Sequence, residues 1–142
     1  MIVKTLSSFQ DLSLLLVRLT LAYGFYGPAL KKINNFDYIV TWFGDKLHLP
    51  FPYLNAVLAT TTETLIVIFM VLGFKARFIA VPGMVAMLVA IFLVHWNGGF
   101  HASNNGFEIP LYYFLMLSVI ATTGPGKFSL DETVLKKWFG SN

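Results

Sequence analysis

The stretch from Leu54 to Gly73, LNAVLATTTETLIVIFMVLG, constrains this chain more than any other: it is long and apolar enough to cross a bilayer, yet it carries Glu63 near its middle. At about 1.5 Å of rise per residue, such a helix spans roughly 30 Å and sets Glu63 about 14 Å from either surface. A carboxyl group at that depth is tolerated against a neighbouring helix, a ligand or a water-filled cavity, and not against acyl chains. The rest of the chain has to supply its partner.

Three further windows are apolar enough to span: Leu12 to Leu30, Phe78 to Trp96 and Phe107 to Thr123. The composition agrees, at 56% hydrophobic and 12% charged residues with a mean hydropathy of +0.69, which a soluble domain does not have. The prediction is an all-α membrane protein: one integral domain over residues 1–142, folded as a four-transmembrane-helix antiparallel bundle in contact with lipid. The first span holds Arg18 and ends in Gly-Pro, so it is expected to stay attached rather than to be cleaved as a signal peptide. The net charge of +3 comes from basic residues flanking the spans, which argues for membrane orientation and against nucleic acid. Lys4, Lys75, Arg77, Lys127, Lys136 and Lys137 fall on one side, and Lys31, Lys32 and Lys46 on the other. Both termini are therefore expected in the cytoplasm.

The connections carry structure of their own. Phe36, Ile39, Val40, Phe43 and Leu47 recur at helical spacing, so a short helix is expected between the first two spans, in the interface or over the bundle. Ser7, Ser8 and Asp11 are candidate caps for the first span; Gly24 and Gly27 suit close packing, and Pro28 is expected to distort the last turn. In the third span Ala76, Ala80, Gly83, Met87 and Ala90 form a small-residue stripe, and Pro82 predicts a kink. Glu108, Tyr112, Leu115, Ser118 and Thr122 form a mostly polar stripe expected to face inward. Ser129 and Glu132 are spaced as a capping box for a short amphipathic C-terminal helix bearing Leu130, Val134, Leu135, Trp138 and Phe139.

Without cysteine there is no disulfide exchange, thiolate metal site or iron–sulfur cluster, so redox chemistry needs a bound cofactor. Arg18, in the first span, is a candidate interhelical partner for Glu63. A quinone suits such residues: Arg18 or His95 offers hydrogen bonds to its carbonyls, Tyr23, Tyr26, Tyr112 or Trp96 a stacking face, and Glu63 or Glu108 a proton path. His95, His101 and Glu108 offer nitrogen and oxygen ligands for a metal, although their spacing matches no ligand motif.

Arg18, Gly24, Phe25, Gly27 and Lys31 in the first span, Glu63 with Val71-Leu72-Gly73-Phe74 after it, Asn105-Gly106-Phe107-Glu108 before the fourth, and the closing Gly126-Lys127-Phe128-Ser129-Leu130-Asp131 together resemble the DoxX family of small four-helix membrane proteins. The resemblance implies a bundle in the bacterial inner membrane and a link to quinone-coupled oxidoreductase complexes, with Arg18, Lys31, Glu63 and Glu108 as the positions carried over. FYGPALKK, PFPYLNA, VHWNGGF and NGFEIPLYY are more similar to a branch that accompanies copper-linked peptide maturation. Phe107 before Glu108 and Pro110 after it depart from the family's common pattern. The leading expectation is a quinone-linked membrane oxidoreductase component, partnered by other membrane or soluble redox subunits or by further copies of itself, with Arg18, Glu63 and Glu108 in its chemistry and Lys31, His95, Tyr23, Tyr26 and Tyr112 against its cofactor. A non-catalytic accessory subunit, a member of a copper-associated maturation system and a small-solute or metal exporter remain alternatives.

Overall fold

The chain, seen in a computed structural model that describes residues 2–139 without the side chains of Ile2, Lys4, Ser8, Leu135, Trp138 and Phe139, is an all-α membrane protein. A short α1 (Ile2–Ser8) leads into α2 (Gln10–Asn34), followed by α3 (Phe36–Asp45), α4 (Pro52–Leu72), α5 (Ala76–Val89), α6 (Glu108–Thr123) and α7 (Lys136–Phe139). Among the described residues three stretches are long and apolar enough to cross a membrane: Thr5–Asn34, Pro52–Leu72 and Ala76–Gly98. The apolar α6 is shorter, at 16 residues, and packs along α5, while α4 packs on both α2 and α5.

The buried face of α2 is Leu14, Arg18, Leu21, Ala22, Phe25 and Ala29, a 3.6-residue stripe that continues to Lys32. Pro28 does not end the helix, which runs on through Lys31 and Lys32 to Asn34; the two lysines suit the negative end of the helix dipole. The N-cap is Phe9, whose side chain has no acceptor to offer the helix; Asp11, inside the first turn, accepts the Lys127 backbone N–H at 3.0 Å and pairs with the Lys127 ammonium at 3.4 Å. Of the two glycines expected to thin this helix, Gly24 lies against the Tyr113 side chain, whereas a Cβ at Gly27 would meet open space.

The α3 helix covers the bundle, burying Ile39 and Phe43 with Ala56 of α4. The turn into α4 is bent rather than extended, with His48 and Phe51 left-handed at φ 51 and 53, and Pro52 starts α4 where its missing N–H costs nothing. Gly73, at φ 65, ends α4 and the tight link reverses the chain into α5. There Ala76, Ala80, Gly83 and Met87 are buried. A Cβ at Gly83 would stand 2.8 Å from Ile66 Cδ1 and 3.1 Å from Leu117 Cδ1, so this small face wedges α5 between α4 and α6. Past Val89 the helix widens into a π-helical segment, Ala90–His95.

The polar stripe of α6 faces outward, not inward. Tyr112 and Leu115 are 44% and 50% exposed, while Pro110, Leu117 and Ile120 are buried. Its hydroxyls are satisfied within the helix: Ser118 donates to Leu115 O at 2.7 Å and Thr122 to Ser118 O at 2.9 Å, so they demand no inward partner.

The segment after α6 docks on the end of the bundle where α2 begins. Asp131 N–H donates to Gly73 O at 3.0 Å, and the Asp131 carboxylate accepts Lys75 N–H at 2.7 Å and Ala76 N–H at 3.1 Å, capping α5. Half of the expected capping box forms, Glu132 N–H donating to Ser129 Oγ at 3.3 Å; the Glu132 carboxylate turns instead to Lys136, also at 3.3 Å. The apolar side expected at Leu135, Trp138 and Phe139 lies outside the described side chains.

Candidate functional site

Glu63 sits on the buried face of α4 in register with Ala56, Ile66 and Met70. Its partner is Lys32: the ammonium donates to Glu63 Oε2 at 2.9 Å, with the two side chains only 17% and 9% exposed. The expected pairing with Arg18 does not occur, and helix geometry says why. Arg18 meets Met70, which lies seven residues from Glu63 along α4, or about 10 Å of rise.

Arg18 is fully buried beside the turn that closes α4. It donates from one guanidinium nitrogen to Met70 O at 3.2 Å and from the other to Phe128 O. A Cβ at Gly73 would run into the same guanidinium. Arg18 therefore joins α2, the end of α4 and the C-terminal segment through neutral carbonyls, and it stands apart from the Glu63 site.

The ion pair borders a cavity of about 640 Å³ in the opposite half of the bundle. Phe25 and Pro28 of α2, Trp42 and Phe43 of α3, and Tyr113 of α6 give it apolar and aromatic walls. Polar side chains are few: Lys32, Glu63, Thr62, Asn55, His95 and Asn105, beside the Tyr113 hydroxyl. Of the threonines around Glu63, Thr62 reaches the cavity, while Thr64 Oγ1 donates to Thr60 O at 2.7 Å. The π-helical winding after Val89 turns Ala90, Val94 and His95 together toward this space, a placement typical of such bulges.

The loop between α5 and α6 lines the mouth of the cavity with Ala102, Asn105 and Gly106. His95 Nδ1 lies 2.9 Å from Asn105 O, and Glu108 accepts the Ala102 N–H at 2.9 Å and the Tyr112 hydroxyl at 3.1 Å. Trp96 stacks on Phe107 at 5.5 Å between centroids. Gly98 and Gly106 have backbone carbonyls where a Cβ would stand, so the loop is folded tightly onto itself.

Several sequence expectations change accordingly. His95, His101 and Glu108 do not converge, and among the described residues no group of three or more metal-ligating side chains does; Glu108 and His95 are spent on the loop backbone. Tyr23 is 85% exposed and Tyr112 points outward beside Glu108, so the aromatic lining is Phe25, Trp42, Phe43 and Tyr113 instead. Tyr26 lines a separate, shallow groove with Ala29 and Ile33. Lys31 is exposed and Lys32 takes its place. The signal for Lys32 was present: it continues the 3.6-residue stripe of Arg18, Leu21, Phe25 and Ala29, and Lys31 does not.

A family model described as DoxX matches residues 13–96. An uncharacterized protein of Haemophilus influenzae is 32% identical over 135 residues, covering 90% of this chain and 86% of that protein. No solved structure gives a significant match.

Proposed function

The chain belongs to the DoxX family, and from that premise we propose that it is a quinone-binding component of a membrane oxidoreductase, receiving the quinone head between Lys32 and Glu63. The observation that supports this reading best is the ion pair itself, set at 2.9 Å in the wall of an otherwise apolar and aromatic cavity. A volume of about 640 Å³ suits a single small-molecule head group. Isolated from bulk water, a lysine–carboxylate pair gains little stability for its own sake, because desolvation offsets the attraction. Its presence is better explained by a ligand that it serves.

The residues divide the work. Phe25, Trp42, Phe43 and Tyr113 offer faces to a flat ring. Lys32 is a donor for a carbonyl oxygen, and the Glu63 carboxylate beside it is placed to accept and return a proton as the ring is reduced and reoxidised. A quinone, when bound, supplies electron-pair transfer coupled to protons. With no cysteine for an iron–sulfur cluster, electrons come from a partner subunit. Arg18 and Glu108, members of the motif set, support the site: Arg18 fastens the C-terminal segment and Glu108 the loop at the mouth.

We place the protein in the bacterial inner membrane. Lys75, Arg77 and Lys127 meet where the C-terminal segment docks, and this basic cluster supports a cytoplasmic position for that end, with the cavity mouth on the other side.

The test is extraction of the gently purified protein. Quinone close to one per chain is expected, falling at least tenfold in Lys32→Met and in Glu63→Gln. Absence of quinone from the wild type, or occupancy indifferent to both substitutions, overturns the reading.

A further inference from the structure

The cavity has a side opening as well as a mouth. Between α4 and α5 the bundle is shut where Gly83 meets Ile66. Toward the mouth, the cavity-lining residues of the two helices include, beside inward-facing ones such as Glu63, Ala59, Ala86 and Met87, Leu58 on α4 and Val85 and Val89 on α5. The last three are also 55%, 57% and 39% exposed. A side chain that both lines a cavity and faces outward marks its rim. Leu58 is eight residues from Ile66 and Val89 six from Gly83, so the rim runs about 10 Å along both helices. Pro82, exposed and also in the cavity wall, marks its lower edge.

All four rim residues are apolar, and they lie in segments apolar enough to cross the membrane, so the opening faces acyl chains and not water. The polar groups, Lys32 and Glu63, are joined between α2 and α4, away from the α4–α5 rim. A molecule matching this arrangement is polar at one end and apolar along the rest. A cavity of about 640 Å³ holds a ring and a short length of chain, and a longer chain has to leave it.

We infer that the ligand is a long-tailed amphiphile that enters laterally from the bilayer, with its tail lying in a portal formed by Leu58, Pro82, Val85 and Val89. The inference rests on the quinone reading for the head group alone; the portal is argued from the walls. It excludes small water-soluble substrates entering only through the loop-lined mouth.

Two measurements in lipid nanodiscs test it. The first compares binding of a tail-less quinone with one carrying a long isoprenoid tail, in the wild type and in Val85→Trp. The expected result is tighter binding of the tailed form by tenfold or more, an advantage that Val85→Trp removes while tail-less binding stays within twofold. An unchanged advantage in Val85→Trp overturns the portal. The second uses a fatty alcohol with a photoreactive group at mid-chain, which carries no quinone. Labelling concentrated at Leu58, Val85 and Val89 supports the portal even if neither quinone binds, in which case it is the head-group assignment that fails. Labelling no greater there than at Tyr23 and Phe78, which are 85% and 79% exposed elsewhere on the surface, overturns the portal itself.

Discussion

Lys32 on α2 and Glu63 on α4 are joined at 2.9 Å, tying the last turns of one helix to the midpoint of another. Removing one partner leaves the other charge buried, at a cost of about 3–5 kcal/mol, whereas removing both is far milder. Lys32→Met and Glu63→Gln are each expected to lower the unfolding midpoint in detergent clearly, and the double variant to recover much of the loss. The measurement is a double-mutant cycle by thermal unfolding. Additive losses would show that the pair is not coupled.

Arg18 offers the contrasting case, a buried charge held by Met70 O and Phe128 O, with no carboxylate among the described residues bonded to it. Because it anchors the C-terminal segment, Arg18→Leu is expected to raise proteolysis between Thr123 and Leu130 by tenfold or more. Quinone retained per folded molecule should change less than threefold. Arg18→Lys should not rescue the segment, since an ammonium cannot reach two diverging carbonyls as the planar fork does. Limited proteolysis with mass spectrometry, paired with quinone extraction, reads both effects; loss of quinone without loss of protection would return Arg18 to the site.

The glycines separate by environment. At Gly73 the backbone is left-handed at φ 65, and a Cβ would collide with Arg18 and Ser129; at Gly27 a Cβ meets nothing within 4 Å. Gly73→Ala is expected to destabilise by more than about 2 kcal/mol, from backbone strain and displacement of the guanidinium together. Gly27→Ala should be neutral or gain up to about 1 kcal/mol from helix propensity. Unfolding midpoints of the two variants, measured side by side, are expected to move in opposite directions or only the first to move.

The helices were legible because lipid imposes long apolar runs, and the small face of α5 because Ala76, Ala80 and Gly83 recur at helical spacing. The partner of Glu63 was harder to read. Ending the first span at Leu30, with Pro28 distorting its last turn, put Lys32 outside it, when the stripe through Phe25 and Ala29 already pointed there. The stripe of Tyr112, Ser118 and Thr122 misled for a different reason: a hydroxyl in a membrane helix satisfies itself on the preceding turn and carries no information about which way it faces. Depth alone cannot pair two charges either. Arg18 and Glu63 both lie in membrane helices, and only the antiparallel register of α2 and α4 shows that Arg18 belongs opposite Met70.

Glu108 gives the last prediction. Its carboxylate holds the Ala102 N–H and the Tyr112 hydroxyl, and Ala102 and Asn105 line the cavity mouth. These bonds fasten the loop, and Glu108 itself does not line the cavity, which favours a fastening over a proton carrier. Glu108→Ala frees a backbone donor and should raise hydrogen exchange at Ala102 through Gly106 by tenfold or more, with little change in α4. Release of the proposed quinone, which leaves by the portal between α4 and α5, should change less than threefold, as should the affinity set by Lys32 and Glu63. Glu108→Gln keeps a carbonyl oxygen for the Ala102 N–H and is expected to fall between wild type and Glu108→Ala. A proton carrier would behave differently: Gln would be as damaging as Ala to turnover, and the loop amides would stay protected in both. Exchange mass spectrometry combined with turnover of the assembled complex therefore separates a fastening from a catalytic acid at this position.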